Sequence, residues 1–502
     1  MPKKMKITVS IEDEDGQEVI YGASERDLPT LKEFEVQGFR PSINQIDKAF
    51  LEARKEATDQ AVEEYLEEIS KKKTDEKLEE HPDGKSTNAF RGYGLDMELG
   101  SIDVTTQVIY NRRDARTIYS VADELFEKKP PMERVRTAGY EELLLDFSTD
   151  MSYRNAAKRL NRIRHETDGI SGRTARNIVE NQGKAILNVI KLKDEAVFES
   201  NGFTKTGKPP KEPGIEKNAF TPISEEDVKI AAVELGISGD IDFSSYESEE
   251  NTVNVSMDDV LSKKQAASRP DSPEKGQRKY VSNTVIHVHK AVPRQLIVAG
   301  TIAAAMKQLI ALVLSAGLAR DNCFVFFTDG AEALHDAIKN MFTFQTYKII
   351  LDWHHIEEKL KQRLSSACQN SKIRNEQFDK VRPFLWYGNV EGAMRYLESI
   401  PEDMLKAPEY IVRLIEYLQR NRTYIPCYAL RAKLGLRNSS NRGEKANDMV
   451  VSHRQKHDGM SWSKSGSLGL AVVTATCLNG DLINWVHKRD VGLELKGQKA
   501  AV

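Results

Sequence analysis

The sequence predicts an α/β domain that carries an all-helical insertion and follows a mostly helical N-terminal region with small β-hairpins. Three observations support this fold class. Strand-like apolar runs alternate with helical runs between residues 251 and 371. Residues 372–435 keep a helical pattern throughout. Residues 1–200 combine short alternating stretches, which are typical of hairpins, with long helical periodicity.

The first segment, residues 1–84, is predicted to form a β-hairpin and a long helical arm. Residues 5–22 alternate around Asp15 and Gly16, a pair that favours a tight turn. Between Ala53 and Glu80 the arm has ten acidic and six basic residues. This mixture favours a solvated amphipathic helix or a coiled-coil arm over an acidic binding site. The apolar positions that recur at helical spacing along the arm are Ile46, Phe50, Ala53, Ala57, Ala61, Tyr65 and Ile69.

Residues 85–200 are predicted to form a second hairpin, within 95–110, and a helical region that could bind DNA. The stretches SYRNAAKRLNRI and SGRTARNIVENQG each begin with a serine suited to capping a helix. The pair could be a helix-turn-helix, although the connection from Asn161 to Ile170 is longer than a tight turn, and plain helical packing remains the alternative. The exposed face of the second helix would present Arg173, Thr174, Arg176 and Asn177, side chains suited to phosphates and base edges.

The remaining boundaries follow from changes in pattern. Residues 201–250 lack periodicity and are rich in Pro, Gly, Ser and acidic residues, which predicts a linker. Three strands, a helix and then alternating strands and helices in 251–371 predict a mixed sheet covered by helices. The helical insertion would occupy 372–435. Residues 436–502 would return to the same α/β domain and end in a C-terminal tail.

Composition narrows the class of protein. Charged residues make up 30% of the chain and the formal net charge is -3, so the overall charge argues neither for nor against nucleic acid. We see no signal peptide and no apolar run of about 18 residues. The nearest run is interrupted by Lys307 and Gln308 and predicts a core helix. The four cysteines form no CxxC pair, which indicates a reducing compartment without a zinc site. We therefore expect a cytoplasmic protein with no membrane association.

Three carboxylates stand out by their positions. Asp258 ends one predicted strand, Asp329 ends another within FVFFTDGAEALHDAIKNM, and Glu444 opens a late helix. Each has an ordinary explanation when taken alone. Asp329 precedes Gly330 and could belong to a turn, Asp258 could end a strand, and glutamate favours the first turn of a helix.

Taken together, the three carboxylates suggest metal-dependent chemistry on phosphodiesters. Two divalent ions held about 4 Å apart need two or three acidic side chains from different elements, and oxygen ligands suit Mg²⁺. Between Arg420 and Lys456 there are nine Lys or Arg and only two acidic residues. Such a basic setting would hold a DNA backbone. The side chains in this region that we expect to contact DNA are Arg437, Arg442, Lys445, Arg454 and Lys456.

These motifs resemble a known family. TDGAEALHDAI followed by ILDWHHIEEKL, and later NRGEKANDMVVSHRQKHDGMSWSKSGSLGL, are similar to the catalytic part of bacterial insertion-sequence DDE transposases. The similarity is closest to the Lre and Kra groups, which are related to Mutator-type elements. VSMDDVLSKKQ resembles the strand that carries the first aspartate of this family. The resemblance covers residues 250–480, and residues 85–190 share only a general pattern with it.

The resemblance implies an RNase H-like fold with a helical insertion before the last catalytic residue. It implies Asp258, Asp329 and Glu444 as catalytic residues that hold two Mg²⁺ or Mn²⁺ ions. It implies that Asp352 and His355 lie beside the active site and that Trp462 belongs to a terminal block, where it could stack on a base or pack. The partners would be the double-stranded DNA of the transposon ends and of the target. A homodimer or larger assembly would hold two ends together.

Two features depart from the family pattern. VIYNRRDARTIYSV lacks the cysteines of the zinc hairpin that related proteins often carry. Asp259 follows Asp258 where the family more often has Asp-Gly, so either aspartate could be the ligand. Three rival functions stay open: a non-catalytic DNA-binding protein derived from a transposase, a nuclease that cuts without joining, and a phosphatase or phospho-acceptor that uses Asp329.

Overall fold

The computed structural model describes residues 3–12, 15–81, 84–85, 90–113, 116–125, 134–167, 169–211, 214–238, 241–265, 279–289, 295–439, 445–457 and 460–492. Two compact units divide the chain, Met1–Ile178 and Val179–Val502. The division falls within one long helix rather than at residue 200. The first unit combines the predicted segment 1–84 with most of the predicted segment 85–200.

The first unit contains two small sheets and several helices. A two-stranded antiparallel sheet, β1–β2, packs on the 42-residue helix α2, and a second sheet has the strand order β3-β5-β4-β7 with β6 beside β5. The elements are β1 Lys3–Glu12, β2 Glu18–Leu28, α1 Leu31–Gln37, α2 Phe39–Glu80, β3 Gly84–Lys85, β4 Phe90–Asp96, β5 Ser101–Asn111, β6 Thr117–Ser120, α3 Val121–Leu125, β7 Val135–Arg136, α4 Ala138–Asp150 and α5 Tyr153–Ile163.

Helix α2 packs through small residues rather than through its large apolar ones. Its buried positions are Ser42, Ala49, Ala53, Ala57, Ala61, Ser70 and Thr74. Phe50 and Tyr65, expected on the buried stripe, are largely exposed. Strand β2 approaches so closely that a Cβ on Gly22 would lie 2.0 Å from the carbonyl oxygen of Ala57. Strand β2 and helix α2 therefore approach so closely at Gly22 that a large side chain such as phenylalanine cannot fit between their backbones.

The second unit is built on a five-stranded mixed sheet. Its strand order is β10-β9-β8-β11-β12, with β9 antiparallel to both its neighbours and β8, β11 and β12 mutually parallel. The strands are β8 Thr252–Lys263, β9 Tyr280–Val288, β10 Gln295–Ala299, β11 Cys323–Thr328 and β12 Tyr347–Leu351. Helix α6, Gly172–Ser200, crosses from the first unit into the second.

Helices cover both faces of this sheet, as expected for a mixed sheet. One face, with Val255 and Phe326, packs on α8 and α10, while the other, with Val325 and Phe327, packs on α11 and the helices that follow it. The helices are α7 Glu225–Glu234, α8 Ile302–Ser315, α9 Leu318–Asp321, α10 Glu332–Met341, α11 Trp353–Ala367, α12 Ser371–Trp386, α13 Val390–Glu398, α14 Glu409–Asn421 and α15 Tyr428–Lys433.

The chain returns to the sheet after α15 in three further helices. Residues 445–447, the π-helical turn Asp448–Ser452 and His453–Gln455 form one continuous helix, α16. Helix α17 is Lys464–Leu478 and α18 is Leu482–Lys488. Within the described ranges no single helix is both long and apolar enough to cross a membrane, and α17 and α18 meet that criterion only when joined across their 108° bend.

The expectation of a linker at 201–250 is wrong. This segment contains α7 and the 3₁₀ turn Phe243–Ser245. Val228 and Tyr246 are buried in a cluster with Leu430 and Leu436. The low periodicity of the segment reflects short elements that pack on α15 rather than a solvated connection.

Candidate functional site

The pairing of β8 and β11 brings Asp258 and Asp329 to neighbouring positions. The strands are parallel, and the last pair in their ladder joins Ser256 to Phe327. Asp258 and Asp329 each lie two residues further along. Because side chains alternate with a period of two, the two carboxylates project on the same side of the sheet, the side covered by α11. Parallel strands alone therefore bring together two acids that are 71 positions apart in sequence.

Asp258 lies within its strand, which corrects the expectation that it ends one. Strand β8 continues to Lys263 because β9 pairs with it up to that residue, whereas β11 stops pairing at Ser256. The edge of β8 that faces away from β9 is thus released from the ladder next to Asp258. A carboxylate inside a rigid strand, with one edge open, is well suited to hold a ligand in a fixed geometry.

The carboxylate of Asp258 is poorly solvated, and its pKa is raised. Burial raises its pKa to about 6, and the negative charges of Asp329 and Asp259 act in the same direction. The charge of His355 and the Asp259 amide, which donates to Oδ1 at 2.8 Å, lower the pKa in part. Two acids that repel one another in a desolvated position favour a bound cation.

Asp329 is held at the end of β11 by its own backbone and by a helix of the insertion. The Ala331 amide donates to Oδ1 at 2.8 Å, and the hydroxyl of Tyr417 donates to the Asp329 carbonyl oxygen at 3.0 Å. Gly330 turns the chain at a φ of 82°, where a Cβ would lie 2.7 Å from Leu351. Among the described residues, Oδ2 of Asp329 accepts no hydrogen bond, which leaves it available to a ligand.

The neighbouring predicted residues have different surroundings. Asp352 follows β12, is fully buried, and accepts the His354 amide at 2.8 Å as the N-cap of α11. Its own amide donates to the carbonyl of Thr328 at 2.8 Å, so it fixes the ends of β11 and β12. His355 is half-buried and close enough to act on the charge of Asp258. Asp259 is exposed and accepts from Thr284, on the opposite face of β8 from Asp258.

Asn447 is a site residue that sequence reasoning missed. Its side-chain Nδ2 donates to Oδ2 of Asp258 at 2.8 Å. It lies on α16, directly before the π-helical turn, a feature that often occurs at functional sites. Asparagine within NRGEKANDMVV gives no local signal of a contact 189 positions away. Glu444 and Arg442 lie outside the described residues, so their predicted roles stay predictions, and Glu444 precedes Asn447 by three positions in sequence.

The donor set at this edge suits a hard cation. Asp258 and Asp329 offer carboxylate oxygens, the ligands that Mg²⁺ prefers. In the part of the chain that the structure describes, no three His, Cys, Asp or Glu side chains are grouped closely enough to hold a metal ion. The two aspartates thus provide two carboxylate donors, and water or substrate oxygens commonly complete the coordination of Mg²⁺.

Three of the basic residues predicted to contact DNA reach the surface of the second unit. Lys445 and Lys456 are exposed at the two ends of α16. Arg437 is half-buried, pairs with Glu249 at 3.5 Å, and lies with Nη1 3.1 Å from Nδ1 of His289.

Arg454 and Trp462 belong to the core, which corrects the expectation that Arg454 contacts DNA and favours packing over base stacking for Trp462. They are 2% and 6% exposed, and the Arg454 guanidinium lies 5.3 Å from the centroid of the Trp462 ring. The Trp462 backbone extends the sheet beside Lys263 and Gln265, and its indole N–H donates to the Gln455 carbonyl at 3.1 Å. Neither side chain has surface left for a phosphate or a base.

The helical region of the first unit has the local geometry that its sequence predicts. Ser152 caps α5 by accepting from the Asn155 amide, and Ser171 accepts from the Thr174 amide at the start of α6. The long connection is closed by Asn161, whose side chain bonds both the amide and the carbonyl of Ile170 at 3.0 Å. The four side chains of α6 predicted to face DNA are all exposed: Arg173, Thr174, Arg176 and Asn177.

Helix α5 adds a basic surface that the sequence reading did not single out. Arg154, Lys158 and Arg162 recur every four residues and are exposed, and none of them forms an ion pair within the described ranges. The opposite face of α5 is buried through Ala157 and Leu160. These three cationic groups of α5, together with Arg173 and Arg176 at the start of α6, suit a phosphate backbone.

The buried Arg164 anchors the end of α5. Its Nε donates to the Met97 carbonyl at 2.8 Å and its Nη2 to Ser101 Oγ at 2.7 Å, while Nη1 pairs with Glu166 at 2.8 Å. A charged group this deeply buried is costly unless every donor is satisfied. The contacts therefore fix the helical region rigidly on the β4–β5 hairpin.

Comparison with known proteins leaves the resemblance to transposases as a hypothesis. No protein-family model and no curated protein matches this chain.

Proposed function

We propose that this protein is a DDE transposase, which cuts DNA at the ends of a mobile element and joins the freed 3′-hydroxyl groups to target DNA. The observation that carries the proposal is the placement of Asp258 and Asp329 side by side on parallel strands, with burial and mutual repulsion that raise the pKa of Asp258 to about 6. Above that pKa, a bound cation would offset the repulsion between the two charges.

The strand order also supports an RNase H-like fold. Three antiparallel strands followed by two parallel strands, in the order β10-β9-β8-β11-β12, place the first strand of the domain at the centre of the sheet. Asp329, at the end of β11, and Asp258, midway along β8, then lie side by side. The helical insertion between α11 and α16 is the further feature that the resemblance implies.

In this proposal, Asp258, Asp329 and Glu444 would hold two Mg²⁺ ions, and when bound these would supply electrostatic stabilisation of the attacking and leaving oxygens. Asn447 orients the Asp258 carboxylate through its 2.8 Å hydrogen bond. The Ala331 amide and Tyr417 fix Asp329. Water would attack the phosphorus at the element end and displace the 3′-oxygen as a free 3′-hydroxyl. That hydroxyl would then attack a target phosphodiester and displace the 3′-oxygen of the target strand, so one site could serve both reactions.

The first unit would recognise the DNA of the element ends. The exposed Arg173 and Arg176 at the start of α6, with the basic face of α5, provide phosphate contacts, and Thr174 and Asn177 are suited to base edges. A homodimer or larger assembly would bring two ends together. We infer a protein that works in the cytoplasm on chromosomal DNA.

The test compares the wild type with Asp329→Asn on DNA that carries the sequences flanking the gene. The substitution keeps the shape of the side chain and removes the charge that Mg²⁺ requires. We expect the variant to fold and to bind these ends, while cleavage and joining are both lost. A pre-cut end with a free 3′-hydroxyl, offered to the wild type with a plasmid, reports joining alone.

Each rival function gives a different pattern in this test. A nuclease would cut without joining the pre-cut end. A non-catalytic regulator would do neither, and Asp329→Asn would then change no measured property. A phospho-acceptor would incorporate phosphate from a small phosphodonor in the wild type and not in Asp329→Asn. The transposase proposal fails if the wild type never joins the pre-cut end in Mg²⁺ or Mn²⁺.

A further inference from the structure

A basic cleft opens directly beside Asp329. It has a volume of ≈ 360 Å³ and is lined by Asp329, Gly330 and side chains of two helices. Lys359 and Arg363 come from α11, and Arg413 and Arg420 come from α14. Helix α11 directly follows the last strand of the sheet, and α14 belongs to the helical insertion. The cleft therefore extends from the Asp329 carboxylate to the insertion.

Three of the four basic side chains lie against aromatic rings. The ammonium of Lys359 lies 5.8 Å from the centroid of the Tyr417 ring, and Tyr417 in turn donates to the Asp329 carbonyl. The guanidinium groups of Arg363 and Arg413 lie 5.9 and 5.2 Å from the ring of Tyr410. Cation–π contacts orient such groups without neutralising their charge.

Among the described residues, the positive charges that line the cleft outnumber the negative ones. Within the described ranges, none of its four cationic side chains forms a salt bridge. Of the residues that the structure describes, Glu416, between the two arginines of α14, and Asp329 are the acidic ones that line it. Four positive groups against two negative ones, one of which is a proposed metal ligand, leave a site that attracts a polyanion.

We propose that this cleft binds the phosphodiester backbone of the DNA strand adjoining the bond that reacts, and so positions that bond against Asp258 and Asp329. The inference rests on the proposed function for the identity of the polyanion. Sequence-independent contacts are expected because Lys and Arg that meet phosphates fix register and orientation without reading bases. The residues responsible would be Lys359, Arg363, Arg413 and Arg420.

The salt dependence of DNA binding tests the cleft. The full-length chain is titrated in EDTA, which prevents cleavage, against a fluorescein-labelled 30-base-pair duplex of arbitrary sequence at increasing KCl. Each lost phosphate contact lowers the slope of log K against log [KCl] by about 0.9. We expect Arg413→Gln/Arg420→Gln to lower it by about 2. The matched control is Lys361→Gln/Lys372→Gln, two exposed lysines of α11 and α12 outside the cleft, which should leave the slope unchanged.

A second measurement ties the cleft to the catalytic edge. In EDTA, Asp329→Asn removes a negative charge from the cleft and should tighten binding of the same duplex by about 3- to 5-fold. That gain should disappear when the four basic residues are replaced by glutamine, because the phosphate is then no longer held near residue 329. Additive effects of the two changes would mean that the DNA lies elsewhere.

The outcomes separate this inference from the proposed function. Unchanged slopes in the cleft variants, together with cleavage and joining by the wild type, would overturn the cleft and leave the transposase proposal intact. Reduced slopes with no joining by the wild type would support the cleft as a polyanion site and refute the transposase. A wild type that fails to bind the duplex at low salt would overturn both.

Discussion

Replacing Asp258 with asparagine should stabilise the second unit of the metal-free protein in a pH-dependent way. The pKa of Asp258 is raised to about 6 by burial and by Asp329, against about 3.9 for an unfolded aspartate. Between these values the folded state binds more protons than the unfolded state, so the contribution of this group to stability falls as the pH rises through that window. At pH 7 this difference between the folded and unfolded pKa of Asp258 lowers the free energy of unfolding by about 3 kcal/mol.

Asp258→Asn removes this penalty and keeps the shape of the side chain. We expect a gain of up to about 3 kcal/mol at pH 7 and none below about pH 4, where the wild-type carboxyl is already neutral. For a unit of the size of Val179–Val502, the gain corresponds to a rise in Tm of about 4 °C. Excess Mg²⁺ should shrink the difference if the wild type binds the ion.

Tryptophan fluorescence is a selective assay for this effect. All four tryptophans, Trp353, Trp386, Trp462 and Trp485, lie in the second unit. Thermal unfolding followed at their emission in EDTA, from pH 4 to pH 7.5, therefore reports that unit alone.

The matched control is Asp259→Asn, which removes the same charge from an exposed position and should change stability by no more than about 0.5 kcal/mol. A variant Asp258→Asn that is destabilised at pH 7, or whose gain is the same at every pH, would refute the reasoning. It would mean that Asp258 is neither desolvated nor repelled by Asp329.

Three further predictions concern side chains of both units. Asn447→Ala removes a donor to ionised Asp258 and should move the acidic limb of the cleavage pH profile upward by about one unit; an unchanged profile would show that this bond does not act on Asp258. Arg173→Ala/Arg176→Ala should lower the salt slope for binding of end-sequence DNA by about 2, and a wild-type slope would return these helices to plain packing. Arg164→Met leaves Glu166 buried without its partner and should destabilise the first unit by about 3 to 5 kcal/mol. Circular dichroism should detect this loss while tryptophan emission keeps its transition; coincident wild-type melts would contradict it.

Part of the candidate site could be predicted because its signals are local. The consecutive residues Thr328, Asp329 and Gly330 predict the end of a buried strand. The serine caps of α5 and α6 likewise depend on residues three positions apart. Other features depend on pairing between distant segments. Asp258 lies inside a strand because β9 pairs with β8 beyond the point where the pairing with β11 stops. No pattern within VSMDDV predicts how far each neighbouring strand pairs.

The burial of individual polar residues could likewise not be predicted from the sequence. Arg454 lies in a basic stretch and reads as a DNA contact, yet it packs beside the ring of Trp462. Gln455 is fully buried, and its side chain bonds both Ser262 of β8 and Ser467 of α17. These residues look solvated in sequence because hydrophobic periodicity cannot distinguish a satisfied buried polar group from an exposed one.

The sequence by itself determined the order and type of the main strands and helices between residues 251 and 371 and singled out two aspartates of the candidate site, since strand alternation, helix periodicity and caps are short-range properties. Only the tertiary structure decided which side chains surround them. Asn447 reaches Asp258 from 189 positions away, and four basic residues of α11 and α14 meet beside Asp329 in one cleft. Such neighbours arise from the packing of helices on a sheet, which depends on the whole core rather than on any one segment.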